Sequence, residues 1–172
     1  MGTITINGKK VEFTNEKNIP LVIFGADCVP VFLLDKKNKA IGVAHCGWMG
    51  TGKRMAEKIL QEMMREFGTD PADVSAAIGP SIGKCCFQMD APVLNLFKEN
   101  IPWTDDIVEP DPSQEGKYKM DLWECNRRLL AEMGVKDIEI SGLCTKCDQE
   151  RFYSHRGMGE KRGVMAGIME LI

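Results

Sequence analysis

No run of basic residues interleaved with aromatics occurs in this chain, and Lys and Arg together number 22 against 25 acidic residues. A net charge of −3 is too near balance for the clustered positive field that a nucleic-acid partner requires. Long apolar runs are missing too: the segments 21–24 and 29–34 are the longest, far short of the ~20 residues needed to cross a bilayer. No basic stretch followed by an apolar one opens the chain, so no secretory signal is read. Met1-Gly2 lacks the hydroxyl residue of a myristoylation site, since Ile6 stands at that position. These absences predict a cytoplasmic protein with a small-molecule partner, no nucleic acid and no membrane. Histidine is scarce, with two residues, but cysteine is not, with seven. An odd number of cysteines without an export signal reads as thiols, metal ligands or nucleophiles, not as a disulfide framework.

What is present describes one globular domain over residues 1–172: 44% hydrophobic residues can fill a core, and neither a repeat nor a linker divides the chain. Alternating residues on either side of Asn7-Gly8 predict an opening β-hairpin through a type I′ turn. Short apolar segments at 21–24, 29–34 and 40–44 read as buried strands, the last two joined by the polar turn 35–39. Pro30, without a backbone donor, predicts local irregularity in the second of them. Met55, Ile59, Met63 and Phe67 recur every four positions and predict one buried face of a helix over 53–67, closed by Gly68. A strand is expected at 74–78, a helix at 91–99 started by Asp90, and a second strong helix at 121–133. The acidic, proline-containing stretch 103–116 reads as a surface excursion, 135–141 as a strand, and 164–172 as a strand or short helix.

Candidate chemistry concentrates at a few positions. Cys28 precedes one apolar strand and His45 ends the next, so a hairpin between these strands places both at the same end of the sheet. Such a pair can ligate zinc, with a position left for water or substrate, or act as a thiolate–imidazolium nucleophile. The alternative for Cys28 is a small buried hydrophobe. Gly47 and Gly50, in the glycine-rich turn after His45, miss the spacing of a phosphate loop but can present backbone donors to an anion. Cys144-Thr145-Lys146-Cys147 has the spacing of a redox or zinc pair. The other near pair, Cys85-Cys86, is adjacent and not spaced, so these cysteines read as structural thiols.

Five blocks taken together resemble the laccase-domain family, also described as multicopper polyphenol oxidoreductases and as zinc-dependent purine nucleoside phosphorylases. They are Ala26-Asp27-Cys28-Val29-Pro30-Val31; Gly42-Val43-Ala44-His45-Cys46-Gly47-Trp48; Ile78 to Cys86; Asp121-Leu122-Trp123 with Asn126-Arg127-Arg128; and Ser141 to Asp148 followed by Arg151-Phe152-Tyr153-Ser154. The resemblance implies an α+β fold, a single domain of mixed β-sheets packed by helices, similar to certain cysteine hydrolases. It implies a zinc held by Cys28, His45 and a histidine from an upstream Q-V-H-G segment, which has no counterpart here, so the chain reads as an N-terminally short member. It also implies nucleoside and phosphate as small-molecule partners, with deamination of adenosine and editing of peptidoglycan precursors as related activities. Arg156 is assigned to substrate binding alongside Gly47 and Gly50. Met49 stands where the family pattern has arginine, and Phe87 and Gln88 where it has tyrosine and glutamate. His155 occupies an aromatic position and is either a replacement ligand or a surface histidine.

Three readings of function stay open at this level. The first is a zinc-dependent purine nucleoside phosphorylase or adenosine deaminase-like enzyme, with Cys28 and His45 as catalytic and metal-binding residues. The second is a metal-free thiol hydrolase or amidase using the same pair, and the third a catalytically degenerate paralogue that binds without turnover. Copper is the weaker metal, since one Cys–His pair and two histidines cannot build several copper centres. A shortened domain that exposes apolar surface would also suit a homodimer.

Overall fold

The computed structural model describes the backbone of residues 2–6 and 9–172, and side chains from residue 12 onward. The predicted hairpin is present as β1 (Gly2–Ile6) and β2 (Lys9–Thr14), antiparallel with Ile6 opposite Lys9. Its Asn7-Gly8 turn lies outside the described residues. There follow β3 (Leu21–Gly25), β4 (Val29–Asp35), β5 (Ala40–Cys46), α1 (Trp48–Gly52), α2 (Met55–Phe67), β6 (Val74–Ile78) and β7 (Gln88–Asp90). The chain continues through α3 (Ala91–Asn100), β8 (Val108–Pro110), β9 (Lys117–Met120), α4 (Leu122–Glu132), β10 (Asp137–Ile140), α5 (His155–Met158) and β11 (Met165–Met169). Mixed sheets packed by helices are the expected architecture. Among the described residues no helix is long and apolar enough to cross a membrane.

The principal sheet has six strands in the order β1-β2-β5-β4-β6-β10. Its two faces follow from the period of two along each strand. Val29, Val31 and Leu33 of β4 and Ala40, Ala44 and Cys46 of β5 belong to the main core with α2 and α4. Phe32 and Leu34 of β4 and Ile41 and Val43 of β5 belong to a second cluster with Leu21 of β3 and Met169 of β11. The two-stranded β3–β11 ribbon therefore covers the face opposite the helices. Gly42 lies on the helix side, where an added Cβ would come within 2.8 Å of Met63 and 2.9 Å of Ile59, so α2 rests directly on the backbone of β5.

Three expectations are corrected. The helix read over 53–67 begins two residues later, at Met55, because Arg54 adopts a left-handed conformation (φ 59°) between α1 and α2. Arg54 Nε bonds Glu57 Oε2 at 2.6 Å, and its NH1 donates to the Asn100 carbonyl at 3.1 Å. These contacts offset the ~1–2 kcal/mol cost of that conformation for an L-residue. Pro30 causes no irregularity: β4 keeps register through it opposite His45, and its carbonyl accepts from Gly79 N at 3.0 Å. The stretch 103–116 is more than a surface excursion, since it supplies β8 to a three-stranded β7-β9-β8 sheet and buries Ile107 and Thr104.

The start of α4 follows a capping rule. Asp121 accepts from the Glu124 amide at 2.9 Å, which satisfies a first-turn donor. The Glu124 carboxylate is clamped by Arg127 (2.6 and 2.7 Å) and by Arg128 Nε (2.7 Å). The hydrogen bond from Arg127, opposed by burial and aided by Arg128, holds Glu124 down to about 2, below the ordinary range near 4.3. A carboxyl with a depressed folded-state pKa contributes stability that is present above its unfolded value and is lost as pH falls through the folded one. Urea unfolding should therefore show stability declining from about pH 4.5 toward pH 2, with a shallower decline in Glu124→Gln. Equal slopes in the two proteins would remove this ion cluster as a source of acid sensitivity.

Candidate active site

All the chemistry-bearing segments leave the principal sheet at one end, for a topological reason. β4 and β5 are antiparallel with Val29 opposite Cys46 and Pro30 opposite His45, so the start of one strand adjoins the end of the next. β6 is antiparallel to β4 with Ile78 opposite Val31, and β10 is parallel to β6 with Ile140 opposite Ile78. The loops after β6 and β10 thus emerge beside Cys28 and His45.

Cys28 and His45 are brought together as the hairpin argument expects. Cys28 Sγ lies 2.8 Å, and His45 Nε2 3.5 Å, from the point a Cβ on Gly47 would occupy. Glycine at 47 is what lets the backbone pass this close to both side chains. Gly50 plays a similar part, since a Cβ there would stand 2.8 Å from the His45 carbonyl oxygen. The pair borders a cavity of about 160 Å³ between the β3–β11 ribbon and the ends of β4 and β5. Its other walls are largely apolar, with Phe24, Phe32, Pro80, Phe152 and Met165 among them. The His45 Nε2 atom is shielded from solvent.

Two polar ties position this pair. Asp27, 8% exposed, holds a left-handed backbone conformation (φ 78°) just before Cys28. Its Oδ1 accepts from the Thr145 hydroxyl at 2.7 Å, its Oδ2 from the Arg156 amide at 2.6 Å, and its carbonyl from Ile82 N at 3.0 Å. The Asp27 side chain thus binds the loop after β10 and the start of α5, and its backbone carbonyl the loop after β6, to the turn that carries Cys28. On the other side, fully buried Asn126 of α4 donates to Thr51 Oγ1 at 3.0 Å, and Thr51 donates to the Cys46 carbonyl at 2.8 Å. That chain fixes the turn following His45. In the sequence, Asp27 and Asn126 stand out only as letters of the motifs around Cys28 and Trp123. The signal available was a polar residue of small size beside apolar strands and in the middle of an amphipathic helix, where burial demands a partner.

The remaining predicted residues fall elsewhere. Arg156 does not reach the Cys28–His45 cavity through its side chain. Its guanidinium lies over Phe87 (5.7 Å to the ring centroid), donates to the Gln88 carbonyl at 3.0 Å, and lines a separate open groove with Trp48 and Lys117. His155 is exposed at the start of α5 and forms no ligand group with Cys28 and His45; among the described residues no third donor completes that pair. The unusual residues at 87 and 88 are used structurally. Phe87 is buried, and Gln88 Nε2 donates to Asp111 Oδ2 at 2.8 Å.

The cysteines read as structural thiols are assembled instead into a group that can hold a metal. The sulfurs of Cys85, Cys86, Cys144 and Cys147 all lie within 4.8 Å of one another. Cys147 Sγ is 3.7 Å from Cys85 Sγ and 3.5 Å from Cys86 Sγ, and all four residues are free thiols. Burial raises the Cys144 thiol, but hydrogen bonds from the Gly83 and Cys147 amides and from the neighbouring thiols outweigh it and bring it down to about 7. Burial pushes Cys85 up to about 11 and Cys86 up as well.

The model of the family described as multi-copper polyphenol oxidoreductase laccase matches residues 11–172. The chain belongs to this family. Among its relatives is purine nucleoside phosphorylase YlmD of Bacillus subtilis (strain 168), 37% identical over 159 residues that make up 91% of this chain and 56% of that protein. Adenosine deaminase RL5, from an unknown prokaryotic organism, is 34% identical over 160 residues, 92% of this chain and 60% of that protein. The crystal structure of Bacillus licheniformis hypothetical protein YfiH superposes with a TM-score of 0.89 at 37% identity, covering 94% of this chain and 61% of that one. This family member therefore spans less than two thirds of the length of these relatives.

Proposed function

We propose that Cys28 and His45 are this chain's share of a zinc-supported centre that cleaves purine nucleosides with phosphate. The observation that carries the reading is the convergence of Cys28 Sγ and His45 Nε2 on one point beside Gly47, at the polar end of an otherwise apolar cavity. Thiolate and imidazole are zinc donors, and the space beside Gly47 faces both, so the two residues fit two coordination positions. Bound there, zinc would supply Lewis acidity to an oxygen nucleophile and to developing negative charge. The chain's own residues do the rest. Phe24, Phe32, Pro80 and Phe152 offer flat apolar walls for a purine base and keep water from it. Asp27 and Asn126 hold the turns that carry the two ligands. The relatives named as purine nucleoside phosphorylases support the substrate class, and the one named as adenosine deaminase supports a related reaction on the same base.

The test is purine release from inosine, guanosine and adenosine, with and without phosphate, before and after treatment with a chelator. Phosphate-dependent release that stops on chelation and returns with zinc is the expected result. Ammonia from adenosine without phosphate would move the assignment to deamination. Turnover that survives chelation but stops with iodoacetamide would replace the zinc reading with a thiol hydrolase built on the same pair. The apolar residues Phe24 (59% exposed), Val164 (58%) and Ile168 (64%) on and beside the β3–β11 ribbon support self-association, which sedimentation velocity reads directly.

A further inference from the structure

We propose that Cys85, Cys86, Cys144 and Cys147 form a second metal site, a tetrathiolate centre for one zinc ion that clips the loop after β6 to the loop after β10. It is independent of the activity assigned to Cys28 and His45, and its failure would leave that assignment untouched.

The geometry matches a single tetrahedral ion. Zinc–sulfur bonds of about 2.3 Å place the sulfurs of a tetrahedron about 3.8 Å apart. Here the Cys147 sulfur stands 3.7 and 3.5 Å from those of Cys85 and Cys86, and no pair in the group exceeds 4.8 Å. A disulfide needs sulfurs about 2.05 Å apart, and none of the four cysteines is bonded to another. A cluster of several irons spreads its ligand sulfurs around more than one metal, whereas these four lie within 4.8 Å of one another.

The surroundings are those of a structural site. The Gly83 amide donates to Cys144 Sγ at 3.3 Å, the type of contact that orients a thiolate ligand from outside the coordination shell. The two loops already run side by side before any metal is considered. Ser81 N donates to the Leu143 carbonyl at 3.2 Å, Thr145 N donates to the Ser81 carbonyl at 3.1 Å, and Trp123 Nε1 donates to Ser81 Oγ at 2.7 Å. Gly83 keeps the loop close, since a Cβ there would sit 3.4 Å from both Cys85 Sγ and Cys144 Cβ. Cys85 and Cys147 are exposed, which leaves an entry path for the ion. A soft all-sulfur tetrahedral set selects zinc over harder divalent ions. The clip also bears on the neighbouring site, because Ile82 and Thr145, which flank it, are two of the groups that hold Asp27 beside Cys28.

The experiment uses the full chain, kept reduced, stripped of metal and titrated with Co(II) as a spectroscopic stand-in for zinc. Wild type should bind one Co(II) at these four thiols, beyond any held by Cys28 and His45, with strong sulfur-to-cobalt charge-transfer bands and the visible bands of a tetrahedral ion. Cys28→Ala should keep that spectrum, and Cys147→Ser should weaken cobalt affinity at least about tenfold, the lower end of what loss of even an outer-shell partner costs. Cys147→His keeps a common zinc ligand set, three cysteines and a histidine, so it should retain one ion with a shifted spectrum. This variant decides the matter if the serine variant does not fold. Absence of thiolate–cobalt bands in wild type would overturn the proposal. So would bands lost in Cys28→Ala but kept in Cys147→Ser, or a Cys86–Cys147 disulfide found by peptide mapping in chain held under reductant.

Discussion

On the proposed function, Cys28→Ala is expected to lower phosphate-dependent purine release by at least about 10³-fold, the scale seen when a member of a catalytic constellation is removed outright. The argument is geometric. Cys28 Sγ is the sulfur that faces the space beside Gly47, and His45 Nε2 faces it from the neighbouring strand. Loss of either donor leaves one residue of this chain to hold the centre, so His45→Ala should fall to a similar level. The protein itself should remain folded, because Cys and Ala are close in size and Cys28 is only partly buried. Cys125 serves as the contrast. It is fully buried in the main core, with its thiol pushed up by burial, so Cys125→Ala should cost about 1 kcal/mol of stability and leave turnover unchanged. Steady-state kinetics beside urea denaturation separate the two outcomes. A Cys28→Ala protein within about tenfold of wild type would place the chemistry elsewhere in the molecule.

Asp27→Ala is expected to cost about 3–5 kcal/mol of stability, from the loss of charge-assisted hydrogen bonds worth about 1.5–3 kcal/mol each and the strain of a left-handed alanine. The carboxylate accepts from Thr145 and Arg156, and the Thr145 hydroxyl is fully buried, so removal of its acceptor strands a polar group away from water. Against a typical total of about 5–15 kcal/mol, this loss brings the chain near its unfolding threshold. Asp27→Asn keeps an acceptor and tolerates a positive φ, so its cost should be about half or less of the alanine variant's. Chemical denaturation of the three proteins measures both values. A cost below about 1 kcal/mol for Asp27→Ala would show that the loop after β10 and the start of α5 are held by their other contacts alone.

Much of the framework could be read without coordinates. The β4–β5 hairpin and the proximity of Cys28 and His45 followed from two apolar strands and a polar turn of five residues, because such short connections leave antiparallel pairing as the natural outcome. The buried face of α2 followed from Met55, Ile59 and Met63, all at most 1% exposed. The break at Arg54 was hidden, since a left-handed arginine is stabilised by Glu57 and by the distant Asn100 carbonyl. The placement of Arg156 was hidden for a related reason: its backbone amide is tied to Asp27, which turns its side chain toward Phe87 and Gln88 and into a different groove.

The cysteines mark the boundary most sharply. Local pattern, which depends on residues within a few positions of one another, determined the strands, the helix faces and the Cys28–His45 hairpin. It carried no information on whether Cys85-Cys86 would meet Cys144 and Cys147, some 60 positions later. That meeting was decided by the parallel pairing of β6 with β10, which sets Ile78 beside Ile140 and sends both following loops out of the same end of the sheet. A parallel pair joins segments far apart in the chain through a long crossover, and no spacing rule within either segment records which partner the other strand will take.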